Sequence, residues 1–229
     1  MREHFDERLS EIAVRLADEA GVIDVAVHDS VEAFLTLDSR RAGSVIDGDL
    51  ALDRREVELE RLCLDTMARQ QPMAKDLRFL AGALKINSDL ERMGDLACNV
   101  AKQAWRVSAP PVDEFADRLR ALAEAVREMV RHATDALVRR DADLARRVWA
   151  TDAHTDRDYS NLIEFSMELL KRGRVSPEDA ACYIAAGRNL ERIGDHAQNI
   201  AEDVVFIVEG AIVRHNAEAR IAPPLPEGV

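Results

Sequence analysis

The chain is short of aromatic residues, of cysteine and of positive charge. Aromatics are 4 % of its 229 residues. Three cysteines, Cys63, Cys98 and Cys182, stand far apart and form no CxxC pair. Odd in number and widely spaced, they argue against a disulfide framework and read as reduced, mostly buried thiols of a cytosolic protein. Lys and Arg number 31 against 43 Asp and Glu, a net charge of −12. A nucleic-acid binder is not expected, because phosphate contacts need an excess of basic groups. Long apolar runs are also missing. The most apolar stretch, Val204 to Val208, is bounded by Asp203 and Glu209, so no membrane insertion is expected. The first residues are charged at once, and no secretory signal core is expected there. No stretch alternates with period two for long enough to argue a strand. No P-loop, GxSxG, GxGxxG or HExxH is found, so nucleophilic catalysis has no visible candidate.

What is present is helix-forming and apolar. Hydrophobic residues make up 47 % of the chain, too many for disorder. Phe5, Leu9, Ile12, Leu16, Ile23, Val27, Val31 and Phe34 recur at three- and four-residue steps, one face of a long helix. Asp38 is a candidate N-cap for a second helix that runs to about Gln71, with softness around Gly43 and Gly48. Gln71-Pro72 ends it. A third helix runs from about Lys75 to Trp105, with Asp76 in its first turn favouring the dipole. Pro110-Pro111 then breaks the pattern. A fourth helix follows from about Asp113 to Arg139, a fifth capped by Asp141 to about Lys171, and a sixth after Ser176-Pro177 to about Gly210. The expectation is an all-α fold of six long helices in two tandem three-helix bundles, 1–106 and 113–212, with a flexible tail at 213–229.

The halves repeat. Leu90 to Ala101 (LERMGDLACNVA) returns 100 residues later as Leu190 to Ala201 (LERIGDHAQNIA), with eight of twelve positions identical. A fainter echo aligns Asp49 to Asp53 with Asp152 to Asp156, 103 residues on. Each repeat therefore carries two acidic pairs at i, i+4: Asp49/Asp53 and Glu91/Asp95, then Asp152/Asp156 and Glu191/Asp195. Such pairs leave one helix face, and like charges there repel by a few tenths of a kcal/mol. Either the pairs face water, as most surface carboxylates do, or a cation sits between them. Oxygen-rich sites of this kind suit iron, manganese, magnesium or zinc. Asn99 and Asn199, one turn further, would add carbonyl oxygens. Gly94 and Gly194 lie within the pairs, allowing either close approach or tight helix packing. The Glu-x-x-His pattern of ferritin-like di-iron sites is missing: His196 follows Asp195 directly, and its counterpart is Leu96. His196 reads as a hydrogen-bond partner of a nearby acid, and Arg92 and Arg192 either as ordinary surface charge or as partners of carboxylates on a neighbouring helix.

Gln70 to Arg78 (QQPMAKDLR), Leu90 to Asp95 (LERMGD) and Leu190 to Glu202 (LERIGDHAQNIAE) resemble the PhoU family of phosphate-signalling regulators, and so does the duplicated layout. The resemblance implies two similar three-helix bundles in a cytoplasmic homodimer. It implies a negative regulator of the phosphate-starvation response and of phosphate uptake, not an enzyme. Its partners would be the ATPase subunit of the phosphate ABC transporter and a sensor histidine kinase. It also implies multinuclear iron or zinc on E(D)xxxD motifs, here Asp49/Asp53 with Glu91/Asp95 and Asp152/Asp156 with Glu191/Asp195. Bound metal could offer open positions to inorganic phosphate. Glu56 is matched by Tyr159 in the second half, so the two sites need not have equal ligands. Two other classes stay open: a metal-dependent hydrolase or oxidase at the carboxylates, and a purely structural helical adaptor.

Overall fold

The computed structural model describes residues 2–213. It contains α1 (Arg2–Thr36), α2 (Ser39–Gln70), α3 (Ala74–Gln103), α4 (Asp113–Arg139), α5 (Ala142–Lys171) and α6 (Pro177–Glu209). Local chemistry sets most of the ends. Asp38 Oδ1 accepts from the N–H groups of Arg40 and Arg41 at 3.0 and 2.9 Å, capping α2. Asp141 Oδ1 takes the Leu144 N–H at 2.9 Å to cap α5, and Ser176 Oγ takes that of Asp179 at 3.0 Å to cap α6, with Pro177 at the first helical position. Gln71 turns left-handed (φ 45°, ψ 60°) before Pro72 and stops α2. The expected softness at Gly43 and Gly48 is not seen. The helix passes through both, held by an apolar line of Ala42, Val45, Leu52, Leu59 and Cys63 that stays buried.

Each repeat is a three-helix unit, but the two units share one core. α2 packs on α1 and α3, and α5 on α4 and α6, while α1 lies against α4 and α3 against α6. The main cluster of buried apolar side chains runs from Phe5 through Leu90, Phe115 and Leu190 to Val213, with a small satellite of Ala33, Ala42, Val45, Cys98, Ala101 and Ala104 between α1, α2 and α3. Phe34, Phe115 and Tyr183 meet where α1, α4 and α6 converge, with ring centroids 4.2 to 6.5 Å apart. The close approach of α3 and α6 needs Gly82, since a Cβ there would stand 2.6 Å from Ile207 Cδ1. Val213, the first residue of the expected tail, is 1 % exposed and belongs to the core, and the rest of that tail lies outside the described residues. No helix among the described residues is long and apolar enough to cross a membrane.

Candidate functional site: two acidic faces

Three contacts fix the antiparallel register of α2 on α3. Asn87 Nδ2 donates to the Glu56 carbonyl at 2.9 Å, and Cys98 Sγ to the Val45 carbonyl at 3.6 Å. Between them Gly94 lies against Leu52 and Asp49, with a built Cβ only 3.3 Å from Asp49 Oδ1. This register sets Asp49 across from Asp95 and Asp53 across from Glu91.

The electrostatics follow from that placement. The Asp49 carboxyl is pushed above its usual range by burial and by Asp53 and Asp95. Glu91 is raised by burial and by Asp95, Glu56 and Asp53, against the opposing pull of Arg92. Glu56 is raised by burial and by Glu60 and Asp53. Like charges that cannot separate, because the helices hold them, favour the protonated form. Arg92, 60 % exposed, bridges Glu91 and Asp95 on its own helix at 3.4 Å each, and its charge also opposes the rise of Glu56 on α2. The Asn99 amide oxygen is engaged by Lys102 Nζ at 3.3 Å, so this expected extra donor already has a partner.

The second face forms between α5 and α6. Glu191 is raised by burial and by Asp195 and Asp156, and Asp195 by burial and Asp156. Asp152 stands one turn before Asp156 on α5, and Asn199 one turn beyond Asp195 on α6, half-buried. The glycines differ in role. Gly94 accommodates α2, whereas Gly194 faces Met129 and Val126 of α4 at ordinary contact distances of 3.6 to 3.7 Å. On the α5 side the close approach belongs to Gly187, where a Cβ would collide with Leu162 and stand 3.3 Å from the Tyr159 ring.

That exchange explains the Glu56/Tyr159 departure. In the first face Glu56 is opposed by Asn87, which is 1 % exposed and whose Oδ1 is buried without a hydrogen-bond partner. In the second, Tyr159 lies over Gly187 and fills the corresponding space with an aromatic ring. The sequence reading missed Asn87, although it sits one turn before Glu91 on the same face. The first face thus combines five carboxylates, Asp49, Asp53, Glu56, Glu91 and Asp95, with an orphaned amide oxygen. This all-oxygen donor set suits a hard or borderline cation. Among the described residues no three His, Cys, Asp or Glu side chains converge at common ligand distance, so a bound ion would need the carboxylates to swing inward.

His196, one residue after Asp195, lies across the repeat boundary from α3. Its Nδ1 is 2.8 Å from Asp89 Oδ1. It is a hydrogen-bond partner, as expected, but its acid is 107 residues away rather than adjacent. Nearby Lys85 Nζ reaches the buried Asp203 at 3.4 Å, a second polar tie between α3 and α6.

A family model described as the PhoU domain matches residues 15–104 and again 119–204, once per repeat. The phosphate-specific transport system accessory protein PhoU homolog 1 of Thermotoga maritima is 31 % identical over 208 residues, covering 90 % of each chain. The PhoU homolog of Pseudomonas putida is 35 % identical over 214 residues, covering 93 % of this chain and 84 % of that one. Among solved structures, PhoU from Pseudomonas aeruginosa superposes with a TM-score of 0.84 at 34 % identity, covering 90 % of this chain and all of its own. The phosphate transport regulatory protein PhoU of Streptococcus pneumoniae gives the same TM-score at 25 % identity, over 91 % of this chain and 99 % of that one.

Proposed function

The chain belongs to the PhoU family, and on that premise we propose that it is an accessory regulator of phosphate uptake that works as a metal-dependent binding switch. In this reading it acts in the cytoplasm as a negative regulator of the phosphate-starvation response. It links the ATPase subunit of the phosphate ABC transporter to a sensor histidine kinase, and it catalyses no reaction of its own. The observation that carries the reading is the facing of Asp49/Asp53 and Glu91/Asp95 across α2 and α3, with the Asp49 and Glu91 carboxyls held above their usual range. Groups that repel one another at neutral pH gain from a cation that neutralises them. Iron or zinc would draw the carboxylates together and fix the spacing of α2 against α3. Ligand positions left open would then accept an anion such as inorganic phosphate.

The two faces are not equal in this proposal. Glu56 and Asn87 give the first more oxygen donors, and Tyr159 narrows the second. Metal content by plasma mass spectrometry, on protein purified without chelator or an immobilised-metal column, tests the metal. Tight iron or zinc in the wild type, lost in Asp95→Asn/Asp195→Asn, supports it, while a well-folded metal-free protein removes it. Affinity capture with the tagged full chain tests the adaptor role. Recovery of neither the transporter ATPase nor a sensor kinase would overturn that part.

A further inference from the structure

At one end of the bundle the start of α3 meets the ends of α4 and α6. A cavity of about 180 Å³ opens there, lined by Lys75, Asp76 and Phe79 of α3, Arg140 at the end of α4, and Ile207 and Val208 of α6. Arg78 stands beside it against Gly210, where a Cβ would lie 3.5 Å from its Cζ, and its Nε is buried without a hydrogen-bond partner. Arg140 lays its guanidinium over Phe79, 5.5 Å from the ring centroid. Such stacking occupies the face of the group and leaves the N–H donors at its edge free. Among the described residues Lys75, Asp76, Arg78 and Arg140 form no ion pair and no side-chain hydrogen bond. The other acids of this end are engaged: Glu209 and Asp143 with Arg146, Asp135 with Arg139, Asp203 with Lys85, and Asp141 at the cap of α5. Three cations therefore surround one carboxylate in a chain of net charge −12.

An anion completes this arrangement. Lys75 sits in the first turn of α3, the positive end of the helix dipole, where a cation is unfavourable unless a negative group lies beside it. Met73 gives α3 no side-chain cap, so the first N–H groups of the helix lack that acceptor as well. Offsetting the negative ends of α4 and α6 accounts for Arg78 and Arg140 but not for Lys75. Asp76 decides which anion fits. An ionised carboxylate only accepts hydrogen bonds, so it favours an oxyanion that carries a proton and repels one that does not. Inorganic phosphate keeps a hydroxyl at neutral pH, whereas sulfate and phosphodiesters have none. We propose that this cavity binds inorganic phosphate, with Lys75, Arg78 and Arg140 holding its charged oxygens and Asp76 accepting from its hydroxyl. The site occurs once per chain. At the offset of 100 residues the second repeat has Val175, Ser176 and Glu178 for Lys75, Asp76 and Arg78. The cavity shares no residue with either acidic face, and about 16 Å along α3 separates Asp76 from Asn87. It is thus distinct from the phosphate position that bound metal would offer. The binding rests on neither metal nor partner, and only its meaning as a signal rests on the regulator reading.

The test uses the full chain in chelator, in low-salt buffer at neutral pH. Calorimetric titration with sodium phosphate should show saturable binding of one ion per chain, at about 1 mM or tighter. Sodium sulfate should bind at least about tenfold more weakly. Lys75→Gln/Arg140→Gln changes two exposed side chains, so it should keep the circular dichroism of the wild type and weaken phosphate at least about tenfold. Asp76→Asn should bring sulfate to within about twofold of phosphate. Arg174→Gln, an exposed arginine before α6 at the opposite end of the bundle, should leave phosphate binding unchanged. Absence of saturable phosphate binding in chelator overturns the proposal and leaves the metal reading untouched. Equal affinity for phosphate and sulfate in the wild type overturns it too, since that reports a charged patch only. So does phosphate binding unchanged by Lys75→Gln/Arg140→Gln, which places the ion elsewhere, or sulfate still excluded in Asp76→Asn. Sedimentation of the chain with phosphatidylglycerol vesicles, undisplaced by phosphate and lost in Lys75→Gln/Arg140→Gln, assigns the cations to a lipid headgroup and overturns it as well.

Discussion

Glu19 gives the sharpest quantitative test of the structure. It lies on α1 against Arg55 and Glu56 of α2 and is 3 % exposed. Burial pushes its carboxyl from 4.5 up to about 7. Glu56 and Asp18 add to the rise, and Arg55 and Arg15 oppose it. Below pH 4.5 the group is protonated whether the chain is folded or not. Between 4.5 and about 7 the folded protein keeps a proton that the unfolded chain has released, so stability falls as pH rises. Above that window the full cost applies, about 3 kcal/mol at 1.36 kcal/mol per unit. Glu19→Gln keeps the shape and removes the charge. Urea unfolding followed by circular dichroism should show the variant level with wild type near pH 4. Its advantage should grow to about 3 kcal/mol by pH 8, rising by at most about 1.4 kcal/mol per pH unit. A constant offset across the range, or a variant less stable than wild type at pH 8, would refute a buried carboxyl that titrates against the fold.

Other expectations can be checked alongside. Gly94→Ala should cost about 1–3 kcal/mol in chemical denaturation, because its methyl collides with Leu52, whereas Gly194→Ala meets only ordinary contacts and should be neutral or stabilising by up to about 1 kcal/mol. Asp179 accepts from Ser108 N at 2.8 Å and Ser108 Oγ at 2.6 Å, tying the inter-repeat segment to the start of α6. Burial raises its carboxyl, but these bonds and Ser176 outweigh that and hold it below its usual range. Asp179→Ala should lower stability by about 2 kcal/mol at pH 7 in thermal melts, a difference that shrinks as pH falls below 4 and the wild-type carboxyl protonates. Zinc or ferric iron should raise the melting temperature in calorimetry at pH 7.5 and much less at pH 5, where protons compete for the raised carboxyls. Glu91→Gln/Asp95→Asn should lose most of that increment.

The sequence alone determined whatever depends on neighbours along the chain. Apolar spacing placed six helices, and Asp38, Asp141 and Ser176-Pro177 the starts of three of them, because helix formation and capping are settled within a few residues. The repeat placed Glu91/Asp95 and Glu191/Asp195 on equivalent faces, because i, i+4 residues must share one. Only the tertiary structure decided what crosses between helices. Whether Gly94 or Gly187 takes the close approach depends on how α2 and α5 are rotated against their partners, which spacing along one helix does not specify. Asn87 opposing Glu56, His196 reaching Asp89 and Glu19 buried against Arg55 each need a register and a rotation between helices. The shared core has the same origin. Each repeat has a second apolar stripe, on α1 and α3 and again on α4 and α6, that three helices cannot cover. The halves bury those stripes against each other, so one main core spans both repeats.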